Sequence, residues 1–416
     1  MKPVKTLAIV VIILNQFVYQ QPALAVDLPN MHRGVNTFPW VYRAQTLNND
    51  PKSFDFNHLF PYFAAYQPAN FQALLKAGAD FVRAIIEPSP FLAADPDERA
   101  KLIALVMQEM RKASDQGLTV VLDLHPRESV PAWQSNVILQ NPDYRLRYQA
   151  TLVEFAKAIT RSGRGGLVLE LMNEPPGGYG WRDDYDWLGF QTRLVKAVRA
   201  VAPDLPLVVT GDRGGGIDGL LRVDVAAIDD PAIIYSFHYY EPMIVTHQGA
   251  KWTSKAWRQY ISNISYPPAP DEFQPSLNRV HDAIFSDRLD DATGQSVWSE
   301  AQAALRDYFQ NDRGEATIKA DFSRVADWAK AHHIPPERIV LGEFGALRPG
   351  APYQSAVNYI HDVRKAAEDD GFGWAFFNYT PFDETKQAFS LLRMTGKSAN
   401  EFDPGIVTTG LGWRAP

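Results

Sequence analysis

Residues 167–176 read LVLELMNEPP: a strand-forming run that ends on Asn173-Glu174 and is stopped by two prolines. Proline has no N–H to give to a ladder, so this carboxylate stands at the mouth of a strand and not inside it. Seven further β-rich runs recur on either side: RGVNTF (33–38), DFVRAII (80–86), LTVVLDLH (118–125), LPLVVTG (205–211), AIIYSFHYY (232–240), RIVLGEFG (338–345) and GWAFFNY (373–379). Most are near-continuously apolar, the pattern of strands covered on both faces by helices. Helical patterns lie between them, such as residues 98–117, closing on a glycine suited to a C-cap, and 144–163. Strand and helix alternating eight times predicts an α/β fold, a (β/α)8 TIM barrel. A doubly wound open sheet is the second arrangement, but it would want a Gly-rich phosphate turn after its first strand, and RGVNTF has none.

The spacing is regular except between the YSFHYY and GEFG strands. Residues 243–337 there contain YPPAPDEFQP (266–275) and helical segments near 298–331, and read as an enlarged loop after strand 6 plus the sixth helix. The tail from Arg393 to Pro416 reads as a closing wrap, so one domain over 26–416 is expected.

With 46% hydrophobic and 21% charged residues among 416, the chain has ample material for a large core, which excludes disorder. Net charge is −7 with no clustered Lys/Arg run, which argues against nucleic acid as a partner. There is no cysteine, so disulfides, thiolate metal sites and cysteine nucleophiles are excluded. Residues 1–25 differ from the rest: Lys2 and Lys5, the apolar LAIVVIIL (7–14), then Ala23-Leu24-Ala25. That is the pattern of a cleaved signal peptide. A secreted or periplasmic protein beginning near Val26 is expected, with no membrane contact once the leader is removed.

A barrel carries its chemistry at the C-terminal ends of its strands. Those ends hold Asn36, Arg83, Asp123, His125, Asn173, Glu174, Asp212, His238, Tyr240, Glu343, Asn378 and Tyr379. Two are glutamates on the fourth and seventh strands, which a barrel sets across the mouth from one another. Paired carboxylates with divided roles are what glycosidic bond cleavage needs. The plainer alternative has Glu343 neutralising Arg83 and Glu174 capping the next helix. Arg83, always charged, suits holding Glu343 anionic. Asp123-x-His125 is a weak metal signal without a third ligand at a telling distance. GDRGGG (211–216) lacks the Lys-Ser/Thr of a phosphate loop and reads as a flexible turn. Trp40, Trp181 and Trp252 fall in or beside the mouth loops, where flat rings can stack on sugar C–H faces.

In order, spacing and strand placement, RGVNTFPW, FVRAIIEP, LDLH, LMNEPP, FHYYEP, GEFG and GWAFFNY together resemble glycoside hydrolase family 5, the cellulase family, over about residues 31–380. The resemblance implies a retaining double displacement with Glu174 as general acid/base and Glu343 as nucleophile, needing no cofactor and no metal. It implies that Asn173 bonds the sugar 2-hydroxyl, and that His125, His238 and Tyr240 bind substrate or support the nucleophile. The family's sugar-stacking Trp often stands three residues beyond Trp374, where this chain has Phe377, so either Trp374 works in a shifted register or the smaller ring does. THQGAKW (246–252) resembles a loop of bacterial cellulase-like members, whose His247 and Gln248 would line the cleft or decorate the surface. The expected substrate is a β-linked oligo- or polysaccharide, most simply β-1,4-glucan cut internally. Mannan, β-1,3- or β-1,6-glucan, exo-action and an idle carbohydrate-binding barrel are the alternatives.

Overall fold

The computed structural model describes residues 28–41, 50, 53–54, 65–126, 131–177, 186–311, 313–380, 389–393 and 401–414, with the side chains of 38–41 and 131 excepted. The expected leader lies outside the described residues. Eight parallel strands close a barrel in the order of the sequence. They are β1 (Arg33–Val41), β2 (Phe81–Ile86), β3 (Thr119–Leu124), β4 (Leu167–Glu170), β5 (Leu207–Thr210), β6 (Ile233–His238), β7 (Ile339–Phe344) and β8 (Gly373–Tyr379). The open-sheet alternative is thereby set aside.

The helices begin and end where their chemistry dictates. In α1 (Pro96–Ser114) the Asp95 side chain accepts the Glu98 N–H and proline occupies the first turn. In α2 (Pro142–Ser162) Asn141 caps the start and Gly163, at φ 63°, the end. Outward-facing strand residues join these helices in one large apolar layer. Inside the barrel lies a separate apolar floor: Phe81, Val121, Val168, Val208, Ile234, Val340 and Ala375, plugged by Met31. At Gly34 only glycine fits, since a Cβ there would stand 2.4 Å from the Phe81 ring.

The segment between β6 and β7 holds the expected helical segments near 298–331 and one helix more, which begins inside YPPAPDEFQP at Phe273. Helices α3 (Phe273–Ser286) and α4 (Asp291–Gln310) form an added hairpin, and α5 (Glu315–Ala331) takes the sixth helix position. It sets Phe322 on Phe237 with ring centroids 5.3 Å apart and Trp328 on Tyr235 at 5.5 Å. The tail does wrap back. Trp413 stacks on Trp374 at 5.7 Å, and Arg348 pairs with buried Asp403 at 2.9 Å. Among the described residues no helix is long and apolar enough to cross a membrane.

Candidate active site

Side chains alternate along a strand, so the residue two positions beyond each floor residue also points inward. Those positions are Arg83, Asp123, Glu170, Thr210, Ser236, Gly342 and Phe377, and Asn36 joins them on β1, in register with Arg83 and Phe377. A polar layer thus rests directly on the apolar floor. Arg83 is its hub. Its Nε and Nη2 fork onto Glu170 at 2.6 and 2.8 Å, and Nη1 reaches Glu343 Oε1 at 2.6 Å and Asn36 Oδ1 at 2.8 Å. Nη2 also meets Asn173 Oδ1 at 2.9 Å and Asp123 Oδ2 at 3.0 Å. Glu170 was not foreseen. Its signal was a carboxylate in mid-strand of LVLELMN, at an inward position where only a buried cation makes it tolerable.

Strict alternation would turn Glu343 outward, since Leu341 joins the outer core and Val340 the floor. The β6–β7 register instead slips between Phe237↔Leu341 and His238↔Glu343. The bulge spends one extra residue, Gly342, and re-aims the carboxylate inward. Glycine is required there, because a Cβ would stand 2.5 Å from Ser236 Oγ and 3.0 Å from His238 Nε2. The Tyr240 hydroxyl donates to Glu343 Oε2 at 3.1 Å, so both carboxylate oxygens are held. Burial first, then the Glu343 charge, pushes the Tyr240 hydroxyl well above its ordinary range, which keeps it a donor.

Glu174 faces the same point from β4's end. His238 Nδ1 lies 2.9 Å from Glu174 Oε1 and 3.8 Å from Glu343 Oε2. One atom from each of the three side chains lies within 4.8 Å of the others. Among the described residues this is the one group that could hold a metal ion; the His238–Glu174 hydrogen bond accounts for its closeness without one. The two carboxyls differ in setting. Glu343's side chain is 6% exposed and pinned by Arg83, whereas Glu174's is 42% exposed and open to solvent.

His125 completes the wall, with Nδ1 2.8 Å from Asp123 Oδ2 and Nε2 3.1 Å from Asn173 Nδ2. Burial lowers His125 and His238 to about 4, so both rings are neutral near pH 7. Burial also raises Asp123 to about 7, overcoming the pull of Arg83. The Asp123–His125 pair therefore holds one proton between about 4 and 6.5, as it does unfolded, and its pH dependence cancels there.

His247, also lowered to about 4 by burial and then by the Arg258 charge, packs against Tyr240, Trp252 and Phe389 and not against a carboxyl. Unfolded, it binds a proton below about 6.5; folded, only below about 4, so stability falls as pH drops through that window. The melting temperature is expected to decline between about pH 6.5 and 5, and His247→Gln should flatten the slope. Identical slopes in the two proteins would refute the assignment.

Of the expected site residues, Glu174, Glu343, Asn36, Arg83, His125, Asn173, His238 and Tyr240 converge. Trp374 does not. It is fully buried on the outer side of β8, between Trp413 and Phe344 (5.7 and 5.8 Å), with its N–H 3.3 Å from Glu368. Lying next to inward-facing Ala375, it must point outward, so a cleft role for it is corrected; half-buried Phe377 is the β8 ring on the inward side. The Trp40 side chain and all of Trp181 lie outside the described residues. Trp252 is 61% exposed, 6.5 Å from His247, which in turn packs on Tyr240 at 5.2 Å. Gln248 does not line the cleft: it is wholly buried and clamps Ile264 through N–H and carbonyl at 2.7 and 2.9 Å. Asp212 pairs with Arg222 at 3.3 Å, and the Asn378 backbone pairs with Phe389 and Leu391, so these serve the scaffold.

The family model described as Cellulase (glycosyl hydrolase family 5) matches residues 48–383. The chain belongs to glycosyl hydrolase family 5. This family 5 chain is 24% identical over 359 residues to Endoglucanase C of Acetivibrio thermocellus, covering 84% of the chain and 91% of that protein. It is 25% identical over 263 residues to Endoglucanase 3 of Fibrobacter succinogenes, 63% of the chain but 36% of that protein, so it spans about a third of that relative's length. Among solved structures, a mutant form of Thermotoga maritima Cel5A in complex with cellobiose superposes with TM-score 0.64 at 18% identity, over 92% of this chain and 97% of that one. The Clostridial cellulose synthase subunit Z from Clostridioides difficile gives 0.62 at 20% identity, over 91% and 99%. At these identities the structural likeness concerns the barrel.

Proposed function

We propose that this family 5 glycosyl hydrolase is an exported, retaining endo-β-1,4-glucanase whose catalytic pair is Glu174 and Glu343. The observation that carries the reading is the convergence of those two carboxyls on His238, with donor atoms within 4.8 Å of one another. Retaining enzymes hold their carboxyls about 5–5.5 Å apart, inverting ones about 6.5–9.5 Å. The first step forms a bond from Glu343 to the anomeric carbon and breaks the glycosidic C–O bond, Glu174 giving its proton to the leaving oxygen. In the second, water attacks that carbon, Glu174 takes the water's proton, and Glu343 departs as carboxylate.

The surroundings fit these roles. Arg83 and Tyr240 aim Glu343 and steady its charge, and regain full ionic strength of contact when it departs. Neutral His238 places no cation beside Glu174, and its Nδ1 can donate to the carboxylate or accept from the acid. Asn173, held by Arg83 and His125, offers an amide to the sugar 2-hydroxyl. Phe377 and Trp252 present rings for sugar faces. Export rests on the leader-like first 25 residues, and the choice of β-1,4-glucan on the endoglucanase relatives. Mannan belongs in the comparison, because Thermotoga maritima Cel5A has also been solved with mannotriose.

The test is a panel of carboxymethyl-cellulose, β-mannan and β-1,3-glucan, assayed in EDTA, with product length and anomer followed by NMR. Oligosaccharides of β-configuration at early times from the first polymer are expected. Early α-product would overturn double displacement, and release of single sugars alone would overturn endo-action. Loss of activity in EDTA would overturn the metal-free chemistry.

A further inference from the structure

The GDRGGG turn (211–216) that follows β5 takes no part in the chemistry above, yet it packs against the backbone of Glu174. Glu174 has φ 39°, in the left-handed region where a non-glycine residue persists only if its surroundings over-determine it. Those surroundings come largely from the turn. The Gly214 N–H donates to the Pro175 carbonyl at 2.9 Å, just beyond Glu174. A Cβ added at Gly215 would meet Thr210 Oγ1 at 3.2 Å on one side and Glu174 Cα and Cγ at 3.8 Å on the other. Gly177, after the two prolines, is also closed off, since its Cβ would stand 2.8 Å from the Asp212 Cβ. The turn is itself anchored backbone to backbone: a Cβ on Gly219 would stand 1.8 Å from the Asp212 carbonyl oxygen. Gly214 offers a contrast, with the same φ of 69° as Gly215 but nothing within 4 Å of a Cβ.

We infer that this glycine turn is a positioning element for the acid/base, and that Gly215 sets where the Glu174 carboxyl stands relative to the scissile oxygen. The inference rests on the reading of Glu174 as proton donor. A methyl group at 215 is crowded by Thr210, whose hydroxyl is tied to the Ser236 carbonyl at 3.0 Å, so relief comes by pushing toward Glu174. Proton transfer demands hydrogen-bond reach, and a displacement of about 1 Å can cost on the order of a hundredfold in rate. The cost falls only on bonds that need the proton.

The experiment compares kcat/KM for phenyl β-cellobioside, whose leaving group needs a proton, with that for 2,4-dinitrophenyl β-cellobioside, whose leaving group does not. Gly215→Ala is expected to lose about 10- to 100-fold on the first and less than about threefold on the second. Gly214→Ala imposes the same φ penalty and keeps the N–H, so it should leave the ratio of the two substrates unchanged. Glu174→Gln, run in parallel, should show the same split more strongly. If Glu174→Gln splits the substrates and Gly215→Ala does not, the inference falls and the acid/base reading stands. If Glu174→Gln shows no split, that reading falls and takes the inference with it. Should Gly215→Ala fail to fold, Gly215→Ala combined with Thr210→Ala, where the 3.2 Å contact is absent, is expected to fold and to keep the substrate ratio of Thr210→Ala; a split that appears there would show that crowding by Thr210 is not what moves Glu174, and would overturn the inference.

Discussion

Glu343→Gln is expected to lower kcat on β-glucan by about 10⁴-fold or more while leaving the fold intact, because it removes the attacking oxygen anion and not merely a contact. The amide is nearly isosteric, but it accepts at one atom where the carboxylate accepts at two. Arg83 Nη1 on Oε1 and the Tyr240 hydroxyl on Oε2 cannot both keep an acceptor. The check is steady-state hydrolysis beside a thermal melt. A parallel check is mass spectrometry after incubation with a 2-deoxy-2-fluoro cellobioside bearing a good leaving group. The parent protein should gain one glycosyl unit on the peptide holding Glu343, and the variant none. Activity within about tenfold of the parent, or a label on another residue, would remove Glu343 from the mechanism.

How far this site is legible in the sequence depends on which face of a strand matters. The barrel was legible because strands buried on both faces are apolar throughout, and eight such runs separated by helical stretches leave few topologies. That same uniformity hides the inward phase. In GWAFFNY every residue through Phe377 is apolar, so nothing local says that Ala375 faces the floor and Trp374 the helices. In LVLELMN the carboxylate of Glu170 reads as an anomaly until Arg83 is seen opposite it. Glu343 was found by its motif, yet its inward aim depends on a register slip at Gly342 that no alternation rule anticipates. Glu174, by contrast, sits beyond the last ladder pair, where the prolines that end the strand also expose it. Strand ends were thus readable and strand interiors were not. The Gly215 contact lies further out of reach, since it joins two turns that are distant in sequence.

Arg83→Met should be the most destabilising single change in the site, because it strands three buried carboxylates at once. The guanidinium's five N–H groups serve six acceptor atoms: both Glu170 oxygens and one each from Asn36, Asp123, Asn173 and Glu343. Removing one partner of a buried ion pair costs about 3–5 kcal/mol, since the other charge stays behind without compensation. Glu170 already shows the strain of its setting, raised chiefly by burial and held down by Arg83. Asp123, likewise raised by burial against the pull of Arg83, and Glu170 already bind protons more readily folded than unfolded; without Arg83 that shift grows, so the variant should recover stability relative to the parent as pH is lowered, opposite in sign to the histidine trend. Arg83→Lys should not rescue, because three donors on a point charge cannot reproduce a planar fork. Arg83→Met with Glu170→Gln should regain part of the loss, and a double-mutant cycle on denaturation midpoints would measure the coupling. If Arg83→Met alone melted within about 2 °C of the parent, the polar layer would not be an electrostatic unit. Glu343 would then owe its placement to the Gly342 bulge and Tyr240 alone.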